Sequence, residues 1–259
     1  MLKKQLILLG THTIEFFQLI SEFAGMTVNS VLNIRKLWFY RRQLVEQMYQ
    51  FSVKTLPLVA MISVFVGLVA TVQGTYQTSD LIPRYFTVNV IYKSTVLELS
   101  PVILALVLAG KVGASIAAEI GSMKITEQIE ALESLSLEPI AFLVTPKIVA
   151  AIFMLPVVTI FANFFALSSA YFISVKVVGW VSTAEFIRGL KLDFVPFELV
   201  LGSVIKPSVF GGMIALVGSF FGLKTEGGAR GVGQAATRAV VVAAVMVVIM
   251  DYYLGELFL

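Results

Sequence analysis

Polar positions are scarce in this chain, and where they fall divides it into five long apolar stretches and one charged interruption. A helix that crosses a bilayer needs about 20 mostly apolar residues. The stretches are Leu56–Val72, Val96–Ala109, Ile148–Val175, Leu199–Leu223 and Ala235–Leu259. The second reaches spanning length only by taking in Glu98 or running past Lys111. The third contains Pro156, which predicts a tilt or kink. The fourth holds Lys206-Pro207 and the fifth Asp251. Between the second and third, Gly110–Pro146 is too charged to span, because Lys, Asp or Arg near the bilayer centre costs roughly 2.5–3.5 kcal/mol. It reads as a structured loop carrying a helix.

Ahead of the first span, Glu15, Gln18, Glu22, Gly25, Asn29, Asn33 and Lys36 recur in steps of three and four, drawing one narrow polar stripe on a helix. Ile14, Phe17, Ile20, Phe23, Val28, Val31 and Leu32 fill the remaining face. That pattern suits a helix lying in the membrane interface, or one packed on the protein's own spans. The chain thus divides into an N-terminal interfacial region, 1–50, and a five-span domain, 51–259. The expected fold is an all-α membrane protein.

Within the interruption, residues 124–136 are amphipathic at helical spacing. Ile125, Ile129 and Leu132 share one side; Glu127, Glu130 and Glu133 share another, and Pro139 is placed to stop the helix. A short helix with an acidic face suits docking on a soluble partner, and equally an ordinary solvated loop.

Composition agrees: 58% of residues are hydrophobic and 14% charged, against about 25% charged in soluble domains. The distribution of basic residues orients the chain. Lys3, Lys4, Arg35, Lys36, Arg41, Arg42 and Lys54 precede the first span, whereas the next loop has only Arg84 and Lys93. The positive-inside rule therefore puts the N terminus and the 111–147 loop in the cytoplasm. The early apolar run meets Gly10, Thr11, His12 and Glu15 too soon for a cleaved signal peptide. With no cysteine and one histidine, thiolate chemistry and a His-based metal site have no residues to use.

Charged residues inside spans are functional candidates because burying them is costly. The alternation of spans carries Glu98, Lys206 and Asp251 to the outer half of the membrane, where Lys206 could pair with either acid. The cluster would line a polar cavity or form a structural ion pair. Gly231-Val-Gly-Gln-Ala-Ala matches a dinucleotide fingerprint but lacks the strand it needs. Gly218 to Thr225 is a poor P-loop; Gly218 and Gly222 are instead a GxxxG pair suited to close helix packing.

Glu98-Leu-Ser-Pro-Val, the block from Ala109 to Leu132, and Gly231-Val-Gly-Gln-Ala-Ala-Thr-Arg-Ala-Val-Val resemble the MlaE/YrbE permeases. These are the membrane subunits of MCE-type ABC lipid transporters. The resemblance runs from about Leu44 to the end of the chain. It implies a homodimer, a coupling helix over Glu127 to Leu135 that engages a cytoplasmic ABC ATPase, and a periplasmic MlaD-like partner carrying an MCE domain. It implies neither a cofactor nor a nucleic-acid partner. It also implies that Glu98 and Lys206 are polar residues of a lipid path in the bacterial inner membrane, with Leu99, Val66 and Val69 facing acyl chains. Many relatives carry a basic residue just before the glutamate; Leu97 stands there in this chain, which makes Lys206 the expected partner of Glu98. The competing readings are an intramembrane enzyme using Glu98 and Asp251, and a non-transporting scaffold.

Overall fold

The computed structural model describes residues 2–78 and 82–258, without the side chains of residues 2–13, 15, 16 and 77, so the readings of His12, Glu15 and Leu259 fall outside it. Every regular element among the described residues is helical. Hydrocarbon offers no partner to a free N–H or C=O, and a helix satisfies its own. The order is α1 (Leu2–Leu32), α2 (Arg41–Tyr76), α3 (Arg84–Ile125), α4 (Gln128–Ser134), α5 (Ile140–Val177), α6 (Thr183–Lys191), α7 (Pro196–Leu223) and α8 (Gly228–Phe258). Helices α2, α3, α5, α7 and α8 are long and apolar enough to cross a membrane.

Two expectations need correction. The second span does not give way to a loop at Gly110: α3 continues to Ile125, and the connection to α5 shrinks to residues 126–139. Helix α3 is amphipathic at this end, burying Ile116, Ala117 and Ile120 while Lys111 and Glu119 stay exposed. Its charges therefore mark a helix leaving the apolar layer. The amphipathic stretch 124–136 is also not one helix. Glu127 has φ 58° and Ser136 φ 59°, and these left-handed turns isolate α4 between them. Helix α4 ends at Ser134, and Pro139 lies at the start of the next helix instead of stopping this one.

Helix α7 forms the centre, packed against α3, α5 and α8, with 61% of its apolar window enclosed. The corresponding figures for α2 and α8 are 28% and 22%, so of the five spanning helices these two are the least covered by the rest of the chain. Gly218 and Gly222 do bring α7 against α3: a Cβ on either would lie within 3 Å of Gly113 O or Ile120 Cβ. Helix α2 leans on α5. A Cβ on Gly67 would fall 2.0 Å from Ala166 O, and Ser169 Oγ donates to Val64 O. By contrast, α2 meets α3 only sparsely along its length.

The ends of the bundle differ. On one side, α1 is tied to the end of α7 by the ion pair Glu22–Lys224 and packs on the start of α5, and Lys36, just past α1, pairs with Glu138. Its Ile14, Ile20, Val28, Val31 and Leu32 are exposed, whereas Met26 and Ser30, and Asn33 just beyond it, turn inward. On the other side, α6 covers the start of α3 through Val88, Val181 and Phe186, with Asn89 donating to the carbonyls of Gly189 and Leu192.

Candidate functional site

Lys206 has 0% side-chain exposure inside an apolar bundle, so its ammonium must find its partners within the protein. It donates to Glu98 Oε1 at 2.7 Å and to Leu97 O at 3.2 Å, and Asp251 Oδ1 lies 2.9 Å from Nζ. One cation thus holds both acids, and the choice between Glu98 and Asp251 does not arise. Glu98 remains 42% and Asp251 20% exposed, so the lysine is sealed while the carboxyl groups open outward.

The local backbone explains the convergence. Glu98 lies in a π-helical turn, Thr95–Leu99, and Lys206 follows another, Leu201–Ile205. Such wide turns re-aim side chains and recur at functional sites. Gly202 lets the two meet, because a Cβ there would fall 2.2 Å from Val96 O. Sequence reasoning missed Gly202, since a glycine in an apolar run carries no chemical signal. It also missed Asn163 and Ser203, a buried pair in which Asn163 Nδ2 donates to Ser203 Oγ at 2.9 Å. Nearby in sequence, the buried hydroxyls of Thr95 and Ser100 have no hydrogen-bond partner among the described residues.

Next to Glu98, the side chain of Leu99 enters a cavity of about 480 Å³ between α2 and α3. Val66, Val69, Phe65 and Met61 line it from α2 and Ile103 from α3; Gln73 is its one polar lining residue. The residues expected to face acyl chains therefore share one apolar cavity beside the charged cluster. The arrangement can hold an amphiphile, a polar end near the acids and an apolar end among Leu99, Val66 and Val69.

The family model for the permease MlaE matches residues 44–257. The chain belongs to the MlaE permease family. As such, it is a multi-pass membrane protein and a permease of the ABC-transporter class. It is 34% identical to a probable ABC transporter permease of Rickettsia prowazekii, over 100% of this chain and 99% of that one. A probable ABC transporter permease of Synechocystis is 33% identical, covering 93% and 91%. The chloroplastic protein TRIGALACTOSYLDIACYLGLYCEROL 1 of Arabidopsis thaliana is 32% identical over 91% of this chain and 66% of its own length.

The second predicted group of residues sits at the other end of this MlaE-family permease. In α4, Ile129 is buried and Leu132 packs on the core, while Glu130 and Glu133 face outward. Glu127 belongs to the turn before the helix. A hydrogen bond from Lys124 holds the Glu130 carboxyl below the usual carboxylate range. Close by, Lys147 is 2% exposed and paired with Glu119 at 2.7 Å, a contact hidden from sequence reading because both residues were assigned to a loop.

Proposed function

We propose that the chain is the permease subunit of an ABC transporter that moves phospholipid between the bacterial inner membrane and a periplasmic MCE-domain partner. A separate cytoplasmic subunit hydrolyses ATP. The N terminus and α4 face the cytoplasm, and the Lys206 cluster lies in the outer half of the membrane. The observation that carries this reading is the sealed Lys206 between two half-open acids, beside an apolar cavity: head-group chemistry next to a place for tails. A relative named after a glycolipid supports a glycerolipid cargo.

Two copies of the chain form the working unit. The cavity is open along α2, one of the two least covered helices, and a second copy would complete it. Helix α4, anchored by Ile129 and Leu132, presents Glu130 and Glu133 to the ATPase, with Glu127 in the turn before it. ATP must then favour one arrangement of the dimer over another, since only differential affinity shifts such an equilibrium.

Mass spectrometry of lipids retained by the purified complex tests the cargo site. Wild-type protein retains phospholipid and Lys206→Ala loses most of it. Equal retention by both overturns the assignment.

A further inference from the structure

Three cavities follow one another along the seam between α2 and α3. The first is the apolar cavity beside Glu98. The second, of about 80 Å³, is bounded by Gln50, Lys54 and Thr55 on one helix and Lys111 and Ser115 on the other. The third, of about 230 Å³, lies between Gln43, Glu46, Gln47 and Gln50 and the Glu119–Lys147 pair, with α5 supplying its far wall. The seam is apolar where it crosses the membrane and polar beyond it.

The middle cavity marks the change. Lys54 lies two residues before the apolar helix that starts at Leu56, and Lys111 donates to Lys54 O at 2.7 Å, which fixes both at one level. Both are exposed, and among the described residues neither ammonium lies within ion-pair distance of a carboxylate. The nearest acid along the helix of Lys111, Glu119, is eight residues away, about 12 Å at 1.5 Å per residue. Two cations without a carboxylate partner, the Ser115 hydroxyl and the Gln50 amide therefore border a small opening, with the Lys54 ammonium 5.9 Å from the centroid of the Tyr49 ring and the Thr55 hydroxyl already bonded to the carbonyls of Phe51 and Ser52. Ile103, in the apolar cavity, is about 12 Å further along α3.

We propose that Lys54 and Lys111 bind the phosphate of an anionic lipid head group drawn from the cytoplasmic leaflet, with its tails directed along the seam toward Ile103. The site rests on the lipid-transport reading and adds a lower station to it. Lys111 and Glu98 are 13 residues apart, about 20 Å along α3, so the two polar stations face the same apolar cavity from opposite ends.

The test uses the full chain in phosphatidylcholine vesicles containing a trace of phosphatidylglycerol with a photoactivatable tail. Wild-type protein is labelled on α2 and α3 around Met61 and Ile103. Lys54→Ala with Lys111→Ala lowers that labelling roughly thirtyfold, the sum for two basic contacts to an anionic lipid surface. The Lys54→Arg, Lys111→Arg pair restores it, and Arg41→Ala with Arg42→Ala, on the same side but outside the seam, leaves it unchanged. A photoactivatable diacylglycerol, which lacks phosphate, labels weakly. Unchanged labelling in the alanine pair, or equal labelling by diacylglycerol, overturns the site. Displacement of the lipid probe by excess inorganic phosphate assigns the pocket to free phosphate and overturns the lipid assignment. If the alanine pair loses labelling while Lys206→Ala still retains its lipid, the upper assignment falls and this one stands.

Discussion

Methionine in place of Lys206 keeps much of the side chain's shape and removes the ammonium that holds two carboxyl groups. Breaking a buried pair costs about 3–5 kcal/mol, and the partial exposure of Glu98 and Asp251 draws the expected loss toward the lower figure. Denaturant unfolding of Lys206→Met in detergent should therefore show a loss of about 3 kcal/mol, whereas Glu98→Gln, with Asp251 still in place, should lose less. Equal losses would mean that Asp251 contributes nothing. Gly202→Val addresses geometry instead of charge. Its side chain cannot fit against Val96 O, so lipid retention should fall although all three charged residues remain. The charged residues were legible in the sequence because an ionisable group in an apolar run is expensive and stands out. Gly202 was not, because its role exists only once two distant helices touch.

Helices were easier to find than their ends. Five apolar runs gave five spans, but α3 outran its prediction, since Lys111, Glu119 and Lys124 looked like loop residues when read by composition alone. They occupy the exposed side of a helix whose other side stays packed. The break at Glu127 was equally invisible, because hydrophobic spacing reports which side a residue faces and not the sign of φ. For α4, Glu130→Lys with Glu133→Lys should abolish co-purification with the ATPase while leaving the permease in the membrane. Retention of the ATPase by that variant would remove α4 from the docking surface. Ile129→Asp should do the same by a different route, dislodging the helix from the core in which it is buried.

At the level of the whole molecule, the seam along α2 and the bare face of α8 carry the expectation of a second copy. Val245 and Val248 are more than half exposed on α8, and the chain has no cysteine, so a thiol introduced there is the only one present. Val245→Cys or Val248→Cys should give a disulfide-linked dimer in native membranes on mild oxidation. Monomer at both positions would argue against pairing through α8. Single thiols at positions 98 and 251, the two positions around Lys206 whose side chains are partly exposed, should react with impermeant reagent from the same side, as their shared contact with Lys206 requires.

Helix α2 is fastened along α5, through Gly67 against the Ala166 carbonyl and Ser169 on Val64 O, and leaves its other flank loosely met by α3. Widening that flank breaks few packed contacts and releases only the Lys54 carbonyl from Lys111 at its end, because within the apolar stretch each helix keeps its own ladder intact. If the cargo is a lipid, as proposed above, its fatty chains would slip in sideways from the bilayer, and no watery pore would have to form.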